Sequence, residues 1–273
     1  MTKNLNLHYA FIGAGSMAAA MIEGLISHSV CTPDEIGCLS KHGERAASLS
    51  EKHKIKLLQE LENPLENATT IVLALKPQQL GDLNPALVKA TKDKLIISIL
   101  AGKKLSRLKE SFPESRNIVR VMPNTPSQIG AGMSAYCSLA QLTTSDQQSV
   151  DHLLAAMGSH LEVDESQMDI VTAISGSGPA YVFEFIAALR DGGINGGLED
   201  AVASKLALET VLGAARLLAR ENVTPESLRD KVTSPNGTTM AALQTLEKRD
   251  FRALIGEAVE SARLRSIEIS KEA

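Results

Sequence analysis

The sequence predicts an α/β protein: a doubly wound sheet over residues 1–164, followed by an all-α domain over 165–273. Three observations carry this. Short apolar runs alternate with amphipathic or polar stretches through the first half, and these runs stop near residue 165. A glycine-rich turn stands between the first apolar run and the first helical stretch.

Taken in order, strands are expected at Tyr9–Ile12, Ile36–Leu39, Thr70–Leu75, Leu95–Ile99, Ile118–Val121 and Gly132–Tyr136. Helical stretches such as Ala18–Ser27, Gly43–His53 and Asp146–Met157 separate them. Near-continuous apolar strands spaced by helices call for a largely parallel sheet covered on both faces. Beyond 165, helices are expected over Gly178–Arg190, Leu198–Arg220, Thr224–Lys231, Thr238–Glu247 and Phe251–Ser270. In the second of these, Val202, Leu206, Leu208, Val211, Leu212, Leu217 and Leu218 spread around the whole circumference. A helix apolar all round must be buried. So small a helical domain does not easily enclose it alone, which favours burial against another subunit; burial inside one bundle is the alternative.

Composition narrows the function. Hydrophobic residues make up 44% of the 273, enough for real cores. A net charge of −4 without a basic stripe argues against a nucleic-acid partner, and 3% aromatics without Trp removes any stacking platform for single strands. Neither a secretory signal pattern nor an uninterrupted apolar run of membrane-span length is visible, so a cytoplasmic protein without a membrane partner is expected. Cys31, Cys38 and Cys137 are odd in number and lack C-x-x-C spacing, as reduced thiols would be. The six histidines are scattered, so no metal site is expected.

Gly13-Ala-Gly-Ser-Met-Ala18 has the form G-x-G-x-x-A, directly after a strand and at the opening of a helix. Gly13 permits a tight turn, Gly15 lets the backbone approach a pyrophosphate, and Ala18 keeps the helix close to the sheet. Free N–H groups of the helix then face the phosphate charge. An NAD site usually carries a carboxylate at the end of the second strand, but Asp34 and Glu35 precede that strand. At its far end stand Ser40, Lys41 and Arg45, a donor and two cations suited to a 2′-phosphate. NADPH is therefore expected over NADH; the alternative is that Lys41 and Arg45 are ordinary solvated charges. Ile71–Pro77, Ile97–Gly102 and Val121–Pro126 end three further strands, and three such ends at one sheet edge make a cleft.

Two segments of the helical half, Ser175–Tyr181 and Thr233–Thr239, place small hydroxyl residues, Gly and Pro just before a helix. Helix capping is the plain reading of such loops. Yet Thr233-Ser-Pro-Asn-Gly-Thr-Thr239 has more hydroxyls than a cap uses, and amides at a helix N-terminus beside Ser and Thr suit a small carboxylate.

The set Gly13-Ala-Gly15, Leu73-Ala-Leu-Lys-Pro77, Met122-Pro-Asn-Thr-Pro126, Ser175-Gly-Ser-Gly-Pro-Ala-Tyr181 and Ser234-Pro-Asn-Gly-Thr-Thr239 resembles the pyrroline-5-carboxylate reductase family over essentially the whole chain. The resemblance implies a Rossmann-like N-terminal domain and a helical C-terminal domain that dimerises, with dimers gathered into rings. It implies hydride transfer from NADPH to C5 of Δ1-pyrroline-5-carboxylate, giving L-proline in the last step of proline biosynthesis. By the same resemblance the substrate carboxylate sits on Ser234, Gly237, Thr238 and Thr239, with Glu165 near the bound ring. Thr239 is implied as the catalytic residue, holding the ring nitrogen and relaying its proton. Cofactor-lining positions are Ile12, Gly13, Ala14, Gly15, Ser16 and Met17, then Ser40, then Ala74, Leu75, Lys76 and Pro77, then Ile99, Leu100 and Ala101. Lys76 would add positive potential there, or is simply a strand-end lysine. The chain departs from the family in having Asn236 where Gly is common, and Asn tolerates φ > 0. A family Asn before the Lys-Pro strand has no secure match; Asn63 is displaced and stays outside the site. A β-hydroxyacid dehydrogenase, the rival with the same two domain types, normally needs a Lys, Tyr or His acid, whereas these loops offer hydroxyls that suit an imine.

Overall fold

The computed structural model describes residues 7–40, 43–58, 65 and 67–272. Strand β1 (Leu7–Ile12) sends Tyr9 and Phe11 into one apolar cluster and Ala10 and Ile12 into a second, so both of its faces are covered. The other strands are β2 (Ile36–Leu39), β3 (Lys56–Leu57), β4 (Ala68–Leu73), β5 (Leu95–Ser98), β6 (Asn117–Met122), β7 (Gly132–Ser138) and β8 (Gly158–Glu162). They form one sheet in the order β3-β2-β1-β4-β5-β6-β7-β8. All neighbours are parallel except β6 and β7, where Val121 stands opposite Tyr136 in an antiparallel register. The α/β expectation holds.

Helices α1 (Ser16–Ser27), α2 (Glu44–His53) and α5 (Thr144–Ala155) bury their apolar stripes in the cluster that holds Tyr9 and Phe11. Helices α3 (Pro85–Ala90) and α4 (Leu105–Ser111) add Leu87, Leu105 and Leu108 to the opposite cluster. Side chains start two of them. Asn84 Oδ1 accepts from Ala86 N at the head of α3, and Thr143 Oγ1 accepts from Asp146 N at the head of α5. A buried hydrogen bond from Tyr9 Oη to the Ser149 carbonyl, 2.7 Å, ties β1 to α5. All three cysteines are free and buried; burial pushes the Cys31 and Cys137 thiols up to about 11 and Cys38 up to about 12. None is a thiolate at neutral pH.

The chain divides into two compact units. The first runs to Ser177 and takes in 262–273; the second is Gly178–Ser261. Helix α6 (Met168–Val171) belongs to the first, and α7 (Gly178–Asn195), α8 (Asp200–Glu221), α9 (Pro225–Lys231) and α10 (Thr238–Lys248) to the second. Helix α11 (Phe251–Glu272) contributes to both. Within the second unit Phe185 meets Phe251 with ring centroids 6.4 Å apart. Of α8, only Ala203 and Ala207 are buried, while Val202, Leu206, Leu208, Leu212 and Leu217 remain exposed. Enclosure of α8 inside one bundle is thereby excluded; its apolar side chains form an exposed surface of the kind that marks an interaction face.

The structure corrects one local reading. Ser175 and Gly176 do not lie in a loop but close a π-helical stretch over Thr172–Gly176, and Gly178–Tyr181 open α7 as expected, all within the helical run Glu165–Asn195. Ser175 Oγ returns to the Val171 carbonyl at 3.1 Å, and Ser177 N reaches back to the Thr172 carbonyl, so the small polar residues sustain the helix. A Cβ on Gly176 would lie 2.6 Å from Met122 Cε, the mobile end of a flexible side chain. This run is also the one helix among the described residues that is long and apolar enough, by length and composition, to cross a membrane.

Gly24 lies inside α1 where a Cβ would fall 2.5 Å from the Ala156 carbonyl oxygen. Helix propensity alone would make Gly24→Ala stabilising by ~1 kcal/mol. The backbone clash is expected to reverse that sign, lowering the urea midpoint at an unchanged slope in equilibrium denaturation.

Candidate active site

In an open α/β sheet, ligands bind beyond the carboxyl ends of the strands, where the winding direction reverses. Here that point lies between β1 and β4. Ala74 N donates to the Ile12 carbonyl at 2.8 Å, and Gly13 N donates to the Leu39 carbonyl at 2.7 Å, knitting the ends of β4, β1 and β2 together. Gly13 has φ +116, and a Cβ would sit 2.2 Å from the Ala74 carbonyl oxygen. Only glycine fits. Gly15 is the extended residue before α1, with φ −77 and ψ 176. No side chain caps α1, and its first turn carries no acidic residue. Ser16 is exposed and Ala14, Gly15 and Met17 are half-buried, so a cradle of free amides opens at the switch point.

Around it the sequence-derived residues take their places in the first unit. Ser40 follows Leu39, the acceptor for Gly13. Arg45 is exposed near the start of α2, and Lys41 lies outside the described residues. Asp34 and Glu35 form a short turn before β2, away from its carboxyl end. Glu35 is committed there: Thr32 N and Thr32 Oγ1 both donate to it at 2.8 Å and hold its carboxyl below the usual range. After β4, Lys76 N is held by Gln79 Oε1 at 3.0 Å while Lys76 itself is exposed; Ala74, Leu75 and Pro77 are half-buried. After β5, Ile99 N extends the ladder to the Leu73 carbonyl at 3.1 Å. Leu100 turns into the core at 2% exposure, leaving Ala101 exposed.

Glu165 has a definite job in this unit. Its Oε1 accepts from Leu105 N, the first residue of α4, at 2.6 Å and faces Arg120 Nη1 at 3.3 Å. Arg120 is 5% exposed in the middle of β6, opposite Ser98 on one side and Cys137 on the other. Sequence reasoning missed Arg120, although a lone charge in the apolar run Ile118-Val-Arg-Val-Met122 was its signal. It also missed Asn124, whose Oδ1 accepts from Met133 N at 2.9 Å and fixes the Met122–Pro126 turn.

The second unit holds the hydroxyl-rich turn before α10. Thr233 Oγ1 is spent on the Arg229 carbonyl at 2.6 Å. Asn236 takes φ +59, the left-handed conformation expected of it. Gly237 N closes onto the Ser234 carbonyl at 3.1 Å, and a Cβ on Gly237 would lie 2.4 Å from Ser234 Oγ. Gly237 leads into α10 with φ −83 and ψ 171. No side chain caps α10, and its first turn carries no acidic residue. Among the described residues the Ser234, Thr238 and Thr239 hydroxyls have no hydrogen-bond partner. Capping therefore does not explain this turn. By contrast, Thr224 Oγ1 does cap α9, accepting from Ser227 N. Helices α1 and α10 share one arrangement: a glycine cap, free amides and no competing carboxylate. Such a helix start suits an anion.

Residues 165–269 match the family model for pyrroline-5-carboxylate reductase dimerisation, and 8–102 match that for NADP oxidoreductase, coenzyme F420-dependent. The chain is 40% identical to a pyrroline-5-carboxylate reductase of Synechocystis over 98% of its own length and 100% of the relative's. It is similar to the structure of a pyrroline-5-carboxylate reductase from Coxiella burnetii, with a TM-score of 0.91, 31% identity, and coverage of 97% of this chain and 98% of that one. The Plasmodium falciparum pyrroline carboxylate reductase, solved with NADP bound, gives a TM-score of 0.85 at 30% identity, covering 98% and 100% of the two chains.

Gly13→Ala puts a side chain against the Ala74 carbonyl and strains a positive φ. The variant is expected to lose affinity for reduced nicotinamide dinucleotide by about tenfold or more, roughly 1.4 kcal/mol, in a fluorescence titration.

Proposed function

As a member of the pyrroline-5-carboxylate reductase family, the chain reduces Δ1-pyrroline-5-carboxylate to L-proline with NADPH, and we propose that it seats the substrate carboxylate on the first turn of α10. This is the last step of proline biosynthesis. The observation that carries the seating is the turn Ser234–Thr239, whose hydroxyls leave the helix N-terminus uncapped. The residues at the sheet edge fit a phosphorylated dinucleotide: the Gly13 close approach, the free amides of α1, and a β2 end without a carboxylate. Ile12 through Met17 would hold the pyrophosphate, Ser40 the 2′-phosphate end, and Ala74–Pro77 with Ile99–Ala101 the wall beside the nicotinamide. NADPH, when bound, supplies the hydride.

The protein's own work is positioning. Amides of Thr238 and Thr239 and the Ser234 and Thr238 hydroxyls donate hydrogen bonds to the carboxylate, and Gly237 keeps that surface free of a side chain. Thr239 Oγ1 hydrogen-bonds the ring nitrogen and relays its proton as the ring becomes an amine. A hydroxyl is a weak acid, so orientation is its larger contribution. Glu165 lies near the ring by family pattern and holds the head of α4 in place. We place the functional boundary at 164/165, supported by the end of β8 at Glu162 and the start of the matched dimerisation model at 165.

The chain self-associates as a dimer through its helical half, where the exposed apolar side chains of α7 and α8 lie. We extend this to a ring of dimers in the cytoplasm, without a membrane partner. The three free buried cysteines and the dimer's claim on the apolar run 165–195 support that reading.

Thr239→Ala is expected to lower kcat by about tenfold or more, the scale of one lost hydrogen bond to a charged group, with NADPH affinity unchanged. Steady-state rates beside a cofactor titration check it, and unaltered kcat removes Thr239 from the mechanism. Measured with both cofactors, kcat/KM is expected to favour NADPH, and Ser40→Ala to narrow that preference; an advantage for NADH would overturn the assignment of Ser40.

A further inference from the structure

Helix α11 begins in the second compact unit, yet its last turns, 262–272, belong to the first. Three residues on one face of those turns carry the docking. Ser266 is 7% exposed, and its Oγ donates to Asp169 Oδ1 at 2.7 Å. Ser270 Oγ is buried without a partner among the described residues. Ile269 lies over Gly102: a Cβ on Gly102 would meet Ile269 Cγ2 at 2.9 Å and the Ile269 backbone carbonyl at 3.4 Å. Gly102 has φ +75, so the backbone there turns in a way that brings the helix directly against it. The segment it backs is Ile99–Gly102, tied at one end by Ile99 N to Leu73 O. At the other end Leu105 N is tied to Glu165. Between these two ties, Ile269 is a neighbour that nothing in the reaction chemistry explains.

We propose that Ile269 and the Ser266–Asp169 hydrogen bond are positioning elements for NADPH: they press the end of α11 onto the Ile99–Gly102 segment and fix the wall on which the nicotinamide half rests. The proposal rests on the reading that this segment lines the cofactor. It touches no reacting atom, so its effect is on cofactor affinity rather than on the substrate seat at Ser234–Thr239.

The test uses the full-length homo-oligomer. Ile269→Ala removes Cγ2 from Gly102, whereas Ile269→Val keeps it. Ile269→Ala is expected to raise the Kd for NADPH about fivefold, with KM for pyrroline-5-carboxylate within twofold of the parent, and Ile269→Val to restore parental affinity. Ser266→Ala is expected to move Kd in the same direction by a smaller factor. A purely structural role would lower the Tm of Ile269→Ala and leave the Kd of the folded enzyme unchanged, which would overturn the proposal. Ala101→Asp, a charge placed on the exposed part of the segment, separates the two readings. If it weakens NADPH binding while Ile269→Ala does not, only the backing role falls. Should Ala101→Asp have no effect, the segment does not line the cofactor and both readings fall.

Discussion

The passage of the Gly13 backbone over the Ala74 carbonyl is the constraint on which the rest is built. Two adjacent parallel strands, β1 and β4, end level with each other, and the chain leaving β1 must turn across the end of β4 to enter α1. With a side chain at 13 the turn would have to widen, α1 would move off its packing against the Tyr9–Phe11 cluster, and its amides would leave the switch point. The same packing demands Gly24 against Ala156 further along the helix. Sheet order, helix placement and an anion cradle are thus one geometric solution.

One local arrangement recurs at the starts of α1 and α10. Four other helix N-termini are satisfied from within: Asn84, Thr143 and Thr224 cap α3, α5 and α9, and Glu165 reaches across to α4. At α1 and α10 the cap is glycine and the first turn has no carboxylate. Amides left without a cap at a helix start are groups that a bound anion can satisfy. A cyclic imine needs orientation more than a strong acid, and backbone amides with alcohols are groups able to orient a carboxylate without carrying a formal charge.

The sequence was most legible where one residue type has one geometric meaning. Gly13 and Gly15 marked the turn, Asn236 the positive φ, and the long apolar runs the central strands. Strands β3 and β8 were not legible. β3 is two residues long, and β8 lies at the sheet edge with mostly exposed side chains, so neither shows an apolar run. Ser175 and Gly176 misled because Ser and Gly spell a loop locally, while the surrounding apolar residues carry a helix straight through. Arg120 and Asp169 escaped for another reason: their partners, Glu165 and Ser266, are distant in sequence, and only the folded chain brings them within hydrogen-bonding distance.

The bare apolar sides of α8 have a thermodynamic consequence. Their burial is intermolecular, so part of the free energy that keeps the second unit ordered arises only when two copies meet. Melting of such a unit is a dissociation as much as an unfolding, and its midpoint shifts with protein concentration. A dilute chain would then forfeit the order of its second unit while its sheet, filled from within by two cores of its own, stays folded.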